Sequence, residues 1–208
     1  MSWALDPISL QGNRVSIRNY TPNDFEKIAE TIHDPQGWFG TQWNRNTPEL
    51  IVKMLESNLA AHQAGKGNPL SYWVGDCAAG VTQLMRIEAA NKMLEIGGTW
   101  VAPRWRKTFV NTEVKLLLLQ YCFEELHAER VELRVDSRNI VSQQAVLRIG
   151  ASLEGRLRNR QVFPDGKVSD GFLFSVVRPE WNQVKERLIL MNQGLRQRGD
   201  RSCPHPMS

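Results

Sequence analysis

Cysteine is scarce in this chain: Cys77, Cys122 and Cys203 are the only three in 208 residues. The count is odd and no spacing among them matches a zinc pattern, so neither a disulfide framework nor a structural metal is expected. His33, His62 and His127 have no partners at ligand spacing, and His205 falls near the end of the chain, so no metal site is expected from histidine either. Long apolar runs are missing too. The longest, Leu116–Leu119, is far too short to span a bilayer, which argues against a membrane protein. Residues 1–10 show no basic segment followed by an apolar one, so no signal peptide is expected and the cytoplasm is the default compartment. No run of five or six like charges occurs, and the net charge is only +4. The basic residues are scattered, which argues against direct nucleic-acid binding. One local cluster, Arg104, Arg106 and Lys107, suits a phosphate-bearing small ligand better than a polymer.

What is present is an ordinary globular balance, 41% hydrophobic and 23% charged. One domain over residues 1–193 is expected, followed by a loose polar tail over 194–208. Arg14–Arg18 alternates as a strand. Thr21-Pro22-Asn23-Asp24 and Thr47-Pro48-Glu49 each open a helix, with Thr as N-cap, Pro at the first position and an acid in the first turn. These helices run to about Ile32 and Ala64. Between them lies a loop with Trp38, Phe39 and Trp43, which reads as core packing under the loop or as a wall of an acceptor pocket. Leu70–Gly75, Gly80–Ala89 and Met93–Val101 read as a meander of strands. A long helix follows at about Val110–His127, then a strand at Val131–Asp136 and a helix at Asn139–Ile149 stopped by Gly150. Ser152–Phe163 and Val168–Val177 form a hairpin around Pro164-Asp165-Gly166-Lys167, and Pro179–Met191 is a last helix. Strands in a meander followed by alternating helices and strands imply an α+β or mixed α/β fold.

Two segments carry candidate chemistry. In Glu95–Lys115 a strand ends at Pro103, and a basic loop leads straight into a helix N-terminus. Such a terminus offers unpaired backbone N–H groups and the positive end of a dipole, a setting that captures anions such as a pyrophosphate. The same loop reads equally well as a solvated helix cap. In Asp136–Gly150, Asn139 stands where an N-cap belongs and Ser142 one turn later. Taken singly, both read as structural.

Together the segments resemble the GNAT superfamily of N-acetyltransferases, in particular the branch that acetylates ribosomal-protein N-termini at alanine or serine. The resemblance runs from Leu10-Gln11-Gly12-Asn13-Arg14-Val15 to the strand before Pro179-Glu180-Trp181. Between them stand Glu95-Ile96-Gly97-Gly98-Thr99-Trp100-Val101, Asn111-Thr112-Glu113 with Lys115, Asn139 with Ser142, and Leu147 with Gly150-Ala151 and Glu154-Gly155. It implies a mixed, mostly antiparallel central sheet with helices on both faces and one splayed parallel strand pair. Gly97-Gly98 would suit a bulge that splays the first strand of that pair from Val131–Asp136. Acetyl-CoA is the implied co-substrate, with its pantetheine arm on the backbone of Trp100 and Val101 and near Asn139. Its pyrophosphate is expected at Arg106, Lys107, Thr108, Phe109, Val110, Asn111 and Thr112.

The implied reaction is direct attack of a primary amine, a protein N-terminus or a small molecule, on the thioester. The amine must be neutral to attack, so a base helps. Glu95 on the cofactor strand is the candidate base, acting through water, and Ser142 the candidate donor to the leaving thiolate. Both have plain alternatives, a surface ion pair for Glu95 and helix solvation for Ser142. A homodimer is compatible with the branch. Two departures from the family pattern stand out. The loop Arg106-Lys107-Thr108-Phe109-Val110-Asn111 lacks the usual spaced glycines, which let backbone approach phosphate closely. Arg158-Asn159-Arg160-Gln161 holds no carboxylate where ribosomal-protein acetylases place a base. These departures motivate a second reading, a non-catalytic acyl-CoA-binding regulatory or structural module.

Overall fold

Eight strands and five helices make up the described part of the chain, residues 3–34, 47–163 and 165–196 of a computed structural model. In chain order they are β1 (Ser9–Gln11), β2 (Ser16–Asn19), α1 (Phe25–Ile32), α2 (Pro48–Gln63), β3 (Gly67–Val74), β4 (Cys77–Glu88), β5 (Met93–Val101), α3 (Val110–Gln120), β6 (Arg130–Asp136), α4 (Ile140–Ile149), β7 (Ser152–Val162), β8 (Val168–Val177) and α5 (Trp181–Arg196). The loop with Trp38, Phe39 and Trp43 lies outside the described residues, as do Pro164 and residues 197–208.

Local chemistry explains most boundaries. Thr47 Oγ1 accepts from Leu50 N at 3.4 Å and starts α2. Asp24 Oδ2 accepts from Thr21 N at 2.8 Å, and a short 3-10 turn at Pro22–Asp24 precedes α1. Asn139 Oδ1 accepts from Ser142 N at 3.0 Å and caps α4. Gly150, at φ +102°, ends α4. Three elements depart from the sequence expectation. β1 is too short to show alternation. The long helix predicted to about His127 stops as an α-helix at Gln120 and widens into a π-turn over Tyr121–Glu125. The last helix continues through Gly194 to Arg196, past the predicted start of the tail.

The sheet has the order β1-β2-β3-β4-β5-β6-β8-β7. Every neighbouring pair is antiparallel except β5 and β6. That parallel pair is joined only at Met93–Arg130, Leu94–Val131 and Glu95–Glu132. Beyond Glu95 the two strands part.

The cause lies in β5. Opposite Thr82 of β4 stand two residues, Gly98 and Thr99, between the paired Gln83–Gly97 and Val81–Trp100. Gly98 takes φ +58°, a conformation that strains any residue with a Cβ. The bulge therefore falls at Gly98, within the Gly-Gly pair where the family resemblance implied one. It also sets the faces of the strand. Thr99 meets Lys115 of α3, whereas the Trp100 indole N–H donates to Ile32 O at the end of α1. Successive strand residues point to opposite faces, so α1 and α3 cover opposite sides of the sheet. α2 packs beside α1 on β3, and α5 joins α3 and α4 on the other side. One continuous apolar core runs from Ala4 and Val15 to Leu188.

Candidate active site

The gap between β5 and β6 has two sides. On the α3 side, the chain turns at Pro103–Trp105, passes Arg106 in an extended conformation and reaches Lys107 at φ +59°. Lys107 thus adopts the left-handed backbone that glycine usually supplies in such a loop, which is how the turn is made without one. Thr108 Oγ1 donates to Trp105 O at 2.7 Å and accepts from Val110 N at 3.3 Å. Phe109 is buried edge-on against Trp105, with the Arg14 guanidinium 3.5 Å from its ring centroid. Among the described residues, the backbone N–H groups of Asn111 and Thr112 donate to no protein group. The start of α3 therefore presents unpaired donors, a dipole end and exposed Lys107, which together fit an anion.

Arg106, expected at the pyrophosphate, makes three protein contacts. Its Nη1 pairs with Asp34 Oδ2 at 2.6 Å, its Nε donates to Val101 O at 3.2 Å, and the guanidinium lies 5.2 Å from the Trp100 ring centroid. It ties the loop to the end of α1 and to β5. Trp100 O accepts from the Tyr72 hydroxyl at 2.8 Å. The carbonyls of Trp100 and Val101 each accept a side-chain hydrogen bond before any ligand arrives.

On the α1 side, the same gap opens onto charged residues. Glu95 is only 5% exposed. Its Oε2 lies 2.9 Å from Arg86 Nε and 3.6 Å from Arg134 Nη1. Gly97 makes room for it, since a Cβ there would stand 2.8 Å from Glu95 Oε1. Burial pushes the Glu95 carboxyl up, and Arg134, Arg86 and Arg160 pull it partly back. From Glu95 an ion-pair ladder crosses the sheet. Arg134 Nη2 meets Glu132 Oε2 at 2.7 Å, Arg130 Nε meets Glu132 Oε1 at 3.0 Å, and Arg130 Nη1 pairs with Glu154 on β7. Glu95 opens into a cavity of about 150 Å³ lined also by Arg134, Asp136, Arg160, Gln161 and Asp170.

The predicted site residues divide accordingly. Glu95 sits on the last paired rung, facing the charged cavity. Lys107 to Thr112 gather at the α3 N-terminus. Asn139 and Ser142 begin α4, just past the end of β6, with both side chains half-buried, and neither lines the Glu95 cavity. Arg134 and Arg160 were missed as site residues. Alternation on β6 marks Glu132, Arg134 and Asp136 as one face, but nothing local brings Arg160 from β7 to it. Among the described residues no group of three or more His, Cys, Asp or Glu side chains is placed to hold a metal. No described helix is long and apolar enough to cross a membrane.

Residues 14–152 match the profile of the acetyltransferase (GNAT) domain. The chain belongs to the GNAT acetyltransferase family. It is similar to a relative from Bacillus subtilis (strain 168) named as a ribosomal N-acetyltransferase, YdaF, with 25% identity over 82% of this chain and 95% of the relative. A crystal structure from T. thermophilus named as an acetyltransferase superimposes with a TM-score of 0.80 at 30% identity, covering 89% of this chain and 97% of that one. RimL, a ribosomal L7/L12 alpha-N-protein acetyltransferase solved with coenzyme A, shares the fold at a TM-score of 0.70 and 16% identity, over 82% of this chain and 98% of that one.

Proposed function

We propose that this chain is an acetyl-CoA-dependent N-acetyltransferase whose acceptor is a primary amine, on a protein N-terminus or a small molecule. The observation that carries the reading is the parting of β5 from β6 just beyond Glu95, with unpaired N–H groups of α3 on one side and the buried carboxylate on the other. The similarity to RimL, solved with coenzyme A, supports the same ligand here. The residues fit it: Lys107 and the N–H groups of Asn111 and Thr112 would hold the pyrophosphate, with Thr108, Phe109 and Val110 shaping the turn. Trp100, Val101 and Asn139 would flank the pantetheine. When bound, acetyl-CoA supplies an activated thioester, whose C–S bond is exchanged for a C–N bond to the amine.

Glu95 takes the proton that the amine must lose, through a water in the charged cavity. Its raised proton affinity suits this task better than an ordinary surface carboxylate. The Ser142 hydroxyl, which makes no hydrogen bond among the described residues, donates toward the departing sulfur. One observation favours the second reading, a non-catalytic acyl-CoA-binding module. Glu95 is held by Arg86 at 2.9 Å, and an ion-paired carboxylate is a weaker base.

Thiol release from acetyl-CoA with an amine panel separates the two. The enzyme reading expects turnover, with Glu95→Gln lowering kcat by about 100-fold or more and Ser142→Ala by about 10-fold. Acetyl-CoA should raise Tm equally in all three proteins. A clear thermal shift with no thiol release from any amine leaves only the binding module.

A further inference from the structure

The charged face beside Glu95 balances almost completely. Arg86 pairs with Glu95, Arg134 with Glu132, Arg130 with Glu154 and Arg138 with Asp136. Four arginines and four carboxylates are consumed. Arg160 is left over. It lines the same cavity, yet among the described residues it makes no ion pair and no hydrogen bond.

Its position is built by the backbone. Between the paired Leu157–Gly171 and Gln161–Ser169, β7 spends four steps where β8 spends two. The excess is absorbed at Asn159, which takes φ +49° while its N–H donates to Asp170 Oδ1 at 2.7 Å. This bulge re-aims the next side chain. Arg156 and Arg158 stay exposed, but Arg160 turns half-buried, its stem crossing Gly171, where a Cβ would stand 3.0 Å from Arg160 Cγ. Behind it, Arg134 Nε is buried with no hydrogen-bond partner. Burial and the nearby charges of Arg86 and Arg134 both disfavour the Arg160 cation, and only Glu95 offsets them. A guanidinium presents a planar fork of donors that matches a carboxylate.

We propose that Arg160, backed by Arg134, receives a carboxylate carried by the acceptor, so that this site selects amines bearing an acidic group close to the nitrogen. The inference rests on the reading of Glu95 as the base, because the cavity shared by Glu95 and Arg160 then places the acidic group next to the amine. Asp136 and Asp170 also line the cavity but are engaged by Arg138 and Arg156, so they do not cancel the excess charge. Two sources share this chemistry, the α-carboxylate of a free amino acid and an acidic side chain at a peptide N-terminus.

The test uses the full chain and matched acceptors: free amino acids against their amides, and peptides beginning with Asp or Glu against those beginning with Asn or Gln. Thiol release should give a kcat/KM at least tenfold higher for the acidic member of a pair, mainly through KM. The pair that discriminates identifies the source. Arg160→Gln should reduce the ratio to below about twofold, Arg160→Lys should keep part of it, and Arg158→Gln should not change it. Should Arg160→Gln lower Tm, Arg160→Lys carries the comparison. Calorimetric binding of the N-acetylated acidic products, with coenzyme A present, reads the site without turnover. Tight binding lost in Arg160→Gln but no turnover keeps the receptor and removes the enzyme reading. Turnover at equal rates for acidic and amide acceptors overturns the receptor and leaves the enzyme reading intact. Neither turnover nor binding overturns both.

Discussion

Lys115 reaches from α3 toward β5 with its amine sealed from solvent, donating to Thr99 Oγ1 at 3.1 Å. Among the described residues no carboxylate faces it; its titratable neighbour is Cys122. Burial lowers its pKa from 10.5 to about 8, because a charged amine without a counter-ion is poorly solvated there. The sign of the linkage follows. Above 10.5 the amine is neutral folded or unfolded. Between 10.5 and 8 the unfolded chain binds the proton and the folded one does not, so stability falls as pH falls. Below 8 the cost is fully present, roughly 3 kcal/mol. Lys115→Met should therefore raise Tm at pH 7, with an advantage that shrinks toward pH 10.5. Thr99 keeps Thr82 as a partner at 2.9 Å. Paired thermal melts across that range check it, and an advantage independent of pH would show that the amine's charge is not the cause. In sequence, Lys115 read only as part of a family motif. Its burial depends on β5 lying against α3.

At the scale of elements, the bulge in β5 decides the site. Gly98 lets two residues stand opposite Thr82, which turns Thr99 to α3 and Trp100 to α1. Gly98→Val would force a β-branched residue to φ +58°, at a cost of about 1–3 kcal/mol. The strand can escape by straightening, which would close the gap beside β6. The expected outcome is a lower Tm and a loss of most of the stabilisation by acetyl-CoA, read by thermal shift. Unchanged acetyl-CoA stabilisation in a folded variant would detach the bulge from cofactor binding. The family resemblance implied this bulge beforehand, and the Gly-Gly pair suited it, because glycine relieves the backbone sterics of a bulge. The bulge between Leu157 and Gln161 of β7 carries no glycine. Asn159 adopts the left-handed backbone by virtue of its bond to Asp170 on the neighbouring strand, so no local signal announced that Arg160 would turn inward.

At the scale of the whole molecule, the profile match ends at residue 152, but the fold does not. β8 inserts between β6 and β7, and α5 closes the α3 side of the sheet. Trp181 stacks on Phe123 at a centroid distance of 5.3 Å, its indole N–H donates to Glu124 at 2.9 Å, and Val184 and Leu188 are buried below it. Trp181→Ala should cost about 3–5 kcal/mol, visible as a drop in urea midpoint with little change in slope. A cost under 1 kcal/mol would make α5 an accessory rather than part of the core.

Element types and the N-caps at Thr47 and Asn139 were determined by the sequence itself, since each depends on neighbours within a few residues, and the family resemblance, carried by motifs from Leu10 to Trp181, implied the Gly98 bulge. Glu95 and the α3 N-terminus were also visible there, as a carboxylate on a strand and a basic loop before a helix. Only the tertiary structure decided what surrounds them. It tied Arg106 to Asp34, sealed Lys115, and brought arginines from β4, β6 and β7 around one carboxylate. These are contacts between strands distant in sequence, set by register and sheet order, and no local pattern encodes a register slip in a neighbouring hairpin.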